Sequence, residues 1–103
     1  MTTNETTTQR VKLKRVGALR RDDVIVPGKG IFDREGNRVV PQSVVSAAWG
    51  NDSYTVTGMP WMNDVPEMNV PVVMTEYRAV DPESILHTPV DAFVVLVPGE
   101  EVN

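Results

Sequence analysis

The chain has 103 residues with no cysteine, one histidine and a formal net charge of −4. The absence of cysteine excludes disulfides, thiolate nucleophiles and cysteine-ligated zinc or iron–sulfur clusters, and one histidine excludes the common multi-histidine metal sites, so we expect no metal and no cofactor. The length predicts one domain, and the acidic balance disfavours nonspecific nucleic-acid binding by the molecule as a whole.

Valine dominates the apolar composition, with 19 Val against 4 Leu and 3 Ile. β-Branched side chains favour strands, and the eight prolines and seven glycines recur at intervals too short for ordinary helices. The sequence therefore predicts an all-β domain over residues 10–99. Charge is divided along the chain, because residues 1–38 carry nine basic and five acidic residues, whereas residues 39–103 carry one basic and nine acidic ones.

The chain begins with a polar, threonine-rich stretch over residues 1–9, which predicts an N-terminal tail that is flexible or ordered by a partner. Within residues 10–16, polar and apolar residues alternate for five positions, the period of a half-buried first strand. A second strand is predicted at residues 24–26, where a short β-branched run ends at a turn containing Pro27 and Gly28.

A hairpin is predicted over residues 31–40, because Gly36 and Asn37 supply the positive φ angles that a tight connection needs. Residues 42–49 fit two structures. Pro41 and Gly50 would frame a two-turn helix, but the paired valines in between favour a strand, which we expect here. A further alternating strand is predicted at residues 54–57.

The second half of the chain is predicted to contain a long apolar loop, a long strand and a buried strand. Residues 58–71 hold several prolines and methionines and are predicted to be the loop, followed by the strand over residues 72–80. At most one short helix is expected, at residues 82–87. Residues 92–97 are almost wholly apolar and predict a central strand, and residues 100–103 a C-terminal tail. The resulting architecture is a small barrel or sandwich of about six or seven short strands.

The seven residues from Leu19 to Ile25 resemble the Leu-x-x-Gly-Asp-x-Ile turn of many SH3-like small β-barrels, in which the turn leads from one strand into the next. Asp22 stands where that pattern has glycine. The resemblance implies a barrel and no activity. In its small size, threonine-rich start and valine-rich β domain, the chain is also similar in style to accessory proteins of tailed-phage virions, such as capsid decoration or head–tail joining proteins.

The residues that usually carry catalysis are sparse in this sequence. His87 is the only histidine, and a Ser-His-Asp arrangement would need it beside a serine such as Ser84, with no motif supporting the pair. The acidic neighbours Asp22 and Asp23 would point to opposite faces of a strand and would not serve one substrate. Lys29 lies between two glycines, but the remaining residues of a phosphate-binding loop are missing. We expect no enzymatic activity.

Basic residues are concentrated in the first predicted strand. The cluster comprises Arg10, Lys12, Lys14 and Arg15, with Arg20 and Arg21 shortly after. Alternation would place the first three on one face, where they would contact nucleic-acid phosphates or the acidic half of another protein subunit. Because no aromatic residue is interleaved for base stacking, nucleic acid is the less favoured partner.

The apolar stretch after residue 58 supplies the best candidate interaction surface. It contains Met59, Trp61, Met62 and Met68, and Trp and Met are enriched in protein interfaces. The alternative is that this stretch folds back over the end of the barrel and buries Trp61. The sequence thus favours a nonenzymatic structural protein that joins a homo-oligomer or a larger assembly. We expect it in a virion or the cytoplasm, with neither a secretory signal nor a membrane span.

Overall fold

The computed structural model describes residues 12–77 and 83–97, and within them the prediction of an all-β domain is confirmed. These described residues form eight antiparallel strands in one sheet, one α-helix and three short 3₁₀ turns. The predicted tails and Arg10 lie outside the described residues. The elements are β1 (Lys12–Arg15), β2 (Val24–Ile25), β3 (Ile31–Phe32), α1 (Gln42–Trp49), β4 (Tyr54–Val56), β5 (Trp61–Met62), β6 (Glu67–Met74), β7 (Ser84–Pro89) and β8 (Phe93–Leu96).

The strand order is β1-β8-β2-β4-β6-β5, with β3 also paired to β8 and β7 also paired to β6. A Cβ atom placed on Gly17, directly after β1, would lie only 3.2 Å from Cε of Met68 in β6. Gly17 follows β1 at one end of the strand order, and β6 lies near the other end, so the sheet curls around a single core. That core draws buried side chains from both ends of the strand order, including Val16, Val70 and Val94.

The central position predicted for residues 92–97 is confirmed by β8. This strand pairs with β1 along its whole length on one side and with β2 and β3 on the other. Val94 is fully buried and its neighbour Val95 is 9% exposed. Because consecutive strand residues point to opposite faces, burial of both means that both faces of β8 are covered.

Helix α1 occupies residues 42–49, so the strand expected there is wrong. Pro41 precedes the helix, and Gly50 ends it with a φ of 60°, a left-handed conformation that glycine adopts without strain. Val45 enters the core with 2% exposure, and the less exposed residues on either side of it are Gln42 and Trp49, three positions before and four after, which is the spacing of one helix face. The valine pair suits a strand locally, but the residues at both ends of the segment suit the helix.

The helix expected at residues 82–87 is wrong from Ser84 onward, because β7 lies there. Six residues of β7 pair with β6, and their burial alternates, with Leu86 and Thr88 buried and His87 exposed. Pairing with β6 therefore stabilises a strand here more than the preceding residues favour the start of a helix.

The loop predicted over residues 58–71 is also wrong, because this segment contains β5 and the first five of the eight residues of β6. On one side of β6, Pro71 lies at the junction between β4 and β5, and on the other side it pairs with Ile85 of β7. Strand β4 pairs with β6 from Val72 onward and β5 pairs with it only up to Asn69, so neither strand is in register with Pro71. A proline that has no ladder hydrogen bond to donate is tolerated at such a position.

The turn over residues 19–25 forms with Asp22 in the place of glycine. Asp22 has a φ of 78°, in the left-handed region that aspartate tolerates better than most residues, and its N–H donates to the carbonyl of Val56 over 2.7 Å. The Asp23 N–H donates to the carbonyl of Arg20 over 3.0 Å. The chain thus turns directly into β2.

Candidate interaction surfaces

The apolar stretch after residue 58 forms a β-hairpin made of β5 and the start of β6. Trp61 pairs with Asn69 and Met62 pairs with Met68, and the turn covers residues 63–66. The Asn63 N–H closes the turn by donating to the carbonyl of Glu67 over 3.2 Å.

This hairpin presents large apolar side chains to solvent. The exposed fractions are 80% for Met59, 45% for Trp61, 55% for Met62 and 66% for Val65. These four residues, which we name the hairpin surface, fall within seven consecutive positions, whereas the other exposed large apolar residues of the described chain are scattered. Trp61 and Met62 are consecutive strand residues, so they point to opposite faces and the hairpin exposes apolar side chains on both of its faces. Apolar exposure of this kind marks interaction sites, and exposure, not burial, is the outcome for Trp61.

The hairpin is held by a buried side chain that the sequence reasoning missed. Asn69 is 1% exposed, and its Nδ2 donates to the carbonyls of Trp61 over 3.2 Å and Glu67 over 3.4 Å. Its Oδ1 accepts from Nδ2 of Asn63 over 3.5 Å. These contacts tie both strands to the turn, so the apolar side chains stand on an ordered support. The available signal was a polar residue just before the apolar part of β6.

Met68, the fourth predicted member of the surface, belongs elsewhere. It is half-buried and packs against the core cluster, close to Gly17. It lies on the same face of β6 as Val70 and Val72, both fully buried, because strand residues two apart share a face. Met68 therefore supports the hairpin from the core side and is not part of its exposed surface.

The basic residues of β1 are partly neutralised. Lys12 and Lys14 share a face, but their partners in β8 are Leu96 and Val94, so that face is the core side of the sheet. The ammonium of Lys14 reaches out to an oxygen of Asp23 at 2.9 Å. Arg15 lies on the opposite face, with its guanidinium 3.6 Å from the carboxylate of Asp91. Of the described residues of the predicted basic cluster, Lys12, Lys14 and Arg15, only Lys12 is exposed and has no ion pair.

Asp23 is the electrostatic centre of the turn before β2. Partial burial raises the pKa of its carboxyl, but hydrogen bonds from the Lys14 ammonium and the Arg20 backbone N–H outweigh burial, and the net pKa lies below 3.8. Asp23 is therefore ionised near neutral pH and holds Lys14 in place.

His87 lies on β7 with its side chain 54% exposed. Its Nδ1 is 3.8 Å from Oε1 of Glu67. Ser84 is three residues away on the same strand, so the two side chains leave opposite faces and do not form a nucleophile–base pair. Residues 12–77 and 83–97 also contain no group of acidic and histidine side chains arranged to hold a metal ion.

Helix α1 is too short and too polar to cross a membrane, and the described residues hold no other helix that would. Comparison with known proteins finds no family model, no curated protein and no solved structure similar to the chain.

Proposed function

We propose that the chain is a nonenzymatic structural subunit that assembles with further copies of itself or with other subunits of a larger particle, through its hairpin surface. The observation that carries this proposal is the set of four large apolar side chains exposed on an ordered hairpin. An exposed apolar cluster is stabilised when a partner covers it, and Trp and Met are the residue types that contribute most there.

A virion component of a tailed phage, such as a capsid decoration or head–tail joining protein, is the kind of particle we favour. Support for this finer proposal comes from the small valine-rich β domain and the threonine-rich first residues. Nucleic acid is a weaker alternative, because the ion pair between Lys14 and Asp23 removes a cation that a phosphate-binding row would need.

Sedimentation velocity over a range of protein concentrations tests the proposal. We expect the wild type to associate, and we expect a variant with Met59→Ser and Met62→Ser to raise the dissociation constant at least tenfold, since each buried methionine contributes about 1.5–3 kcal/mol. The matched control is Val44→Ser. Val44 is as exposed as Met62 but lies on α1, away from the hairpin.

Two outcomes would refute the proposal. One is a wild type that stays monomeric at low salt and high concentration. The other is an equal loss of association in the hairpin variant and the Val44→Ser control, since that would mean that general surface hydrophobicity drives association.

A further inference from the structure

A second surface, a groove, lies on the face of the sheet opposite the core. Its volume is about 330 Å³, and it is lined by Leu13, Lys29, Phe32, Gly36, Arg38 and Val95. Leu13 of β1 and Val95 of β8 are direct cross-strand partners, and Phe32 comes from β3 on the other side of β8. Val95 is only 9% exposed at the base of the groove, so the accessible apolar floor is formed by Leu13 and Phe32, and the rim carries two cations.

The guanidinium of Arg38 is fixed at this rim without being neutralised. It lies over the ring of Phe32 at 5.0 Å and donates to the carbonyl of Lys29 over 3.2 Å and to the side-chain oxygen of Gln42. None of these groups is a carboxylate. Gly30 makes room for the stack, because a Cβ atom there would lie 2.4 Å from Cζ of Phe32 and 2.5 Å from the guanidinium.

Lys29 adds a second positive charge that has no compensation nearby. Its side chain is exposed and has no ion-pair or hydrogen-bond partner among residues 12–77 and 83–97. Asp33, in the adjacent turn, uses its carboxylate to accept the N–H groups of Glu35 and Asn37. Glu35 is exposed and does not line the groove. An apolar group flanked by a carboxylate is the chemical complement of this site.

The turn of the β5–β6 hairpin carries that complement. Asp64 and Val65 are adjacent and exposed, Val65 by 66%. The carboxylate of Asp64 has no partner within the described part of the chain. The hairpin turn and the groove are built from different strands and share no residue, so one copy can offer both at the same time.

We propose that the hairpin turn of one copy docks in the groove of a second copy. The side chain of Val65 lies against Leu13 and Phe32, and the carboxylate of Asp64 lies against Lys29 and Arg38. This inference rests on the proposed function and specifies its geometry. Because two different surfaces meet, the contact is head-to-tail and continues into a ring or a filament, whereas contact between two hairpin surfaces would stop at a dimer.

A charge-swap experiment tests this contact. We expect Lys29→Glu and Asp64→Lys each to raise the dissociation constant at least tenfold, and the double variant to return to within about threefold of the wild type. Neither wild-type side chain makes a hydrogen bond or an ion pair within the described residues, and both are exposed, so both variants should fold. Arg21→Glu is the control, because it makes the same charge change at an exposed arginine outside the groove.

Mass photometry at low and moderate salt supplies the second readout. Head-to-tail assembly predicts species larger than dimers that dissociate as the Debye length falls from about 30 Å to about 8 Å. Association that stops at dimers, or that loses nothing in Lys29→Glu and Asp64→Lys, overturns the groove contact. If association stops at dimers and the hairpin variant with Met59→Ser and Met62→Ser has a higher dimer dissociation constant than the wild type, the proposed function stands and only the groove contact fails.

Discussion

Among the glycines of residues 12–77 and 83–97 whose φ is not positive, Gly28 is the one whose replacement by alanine should destabilise the protein most. Gly28 lies in the 3₁₀ turn Pro27–Lys29, directly against the end of α1. A Cβ atom there would lie 1.6 Å from the carbonyl oxygen of Gly50 and 2.8 Å from its carbonyl carbon. Both sides of this contact are backbone, so no flexible side chain can move out of the way.

The geometry sets the size of the effect. Ordinary van der Waals contact needs about 3.5 Å, so the turn and the helix end must separate by nearly 2 Å. Overpacking of a well-packed site costs about 1–3 kcal/mol, and a clash between two backbone segments belongs at the upper end. The separation would also stretch the 2.7 Å hydrogen bond from Nε2 of Gln42 to the carbonyl of Gly28. We expect a loss of about 3 kcal/mol in the free energy of unfolding.

Urea unfolding followed by circular dichroism measures this loss, and thermal unfolding should show a drop in melting temperature of about 12–24 °C. Gly58→Ala is the matched control. Its Cβ atom would meet only Cγ of Pro71, at 3.4 Å, so we expect a change within about 0.5 kcal/mol or a slight stabilisation. A Gly28→Ala protein as stable as the wild type would refute the close approach of the turn to α1.

Two further stability predictions concern the turn before β2 and the helix. Asp23→Ala should cost about 1–3 kcal/mol at pH 7 because it removes hydrogen bonds from Lys14 and from the Arg20 N–H. The folded pKa of Asp23 is lowered, so its contribution to stability is present above the unfolded pKa of 3.8 and is lost as the pH falls through the lower folded pKa. An Asp23→Ala variant that loses the same free energy of unfolding at pH 7 and at pH 2 would contradict this pH dependence. Val45→Ala should cost about 2 kcal/mol and Val44→Ala less than about 0.5 kcal/mol, because only Val45 is buried; equal costs in urea unfolding would contradict the orientation of α1.

Local composition was sufficient to predict the fold class and the buried strand. Valine is abundant along the whole chain, and β-branched side chains favour strands wherever they occur. A wrong prediction for one segment therefore does not change the predicted fold class. The run that became β8 is apolar at consecutive positions, which signals burial on both faces wherever the strand pairs.

Segments whose structure depends on pairing were predicted wrongly. Pro71 signals a loop by its own chemistry, and its tolerance in β6 follows only from its position between the ends of β4 and β5. The residues before Ser84 likewise favour a helix start when taken alone. β7 forms a strand because it pairs with β6, and the sequence near Ser84 does not indicate that pairing. In α1 the capping signals at Pro41 and Gly50 were visible, and the buried contact of Val45 favours them over the valine pair.

The candidate surfaces divide in the same way. Residue type and neighbouring prolines were enough to single out Met59, Trp61 and Met62 as candidates, and the structure decided between exposure and burial, because all three are exposed. Only tertiary structure decided that Met68 faces the core and that Lys14 is held by Asp23, because the face on which a strand residue lies depends on its register with strands distant in sequence. The groove depended entirely on tertiary structure. Leu13 of β1 and Phe32 of β3 are far apart in sequence, and they meet only because β1 and β3 pair with opposite sides of β8, which carries Val95.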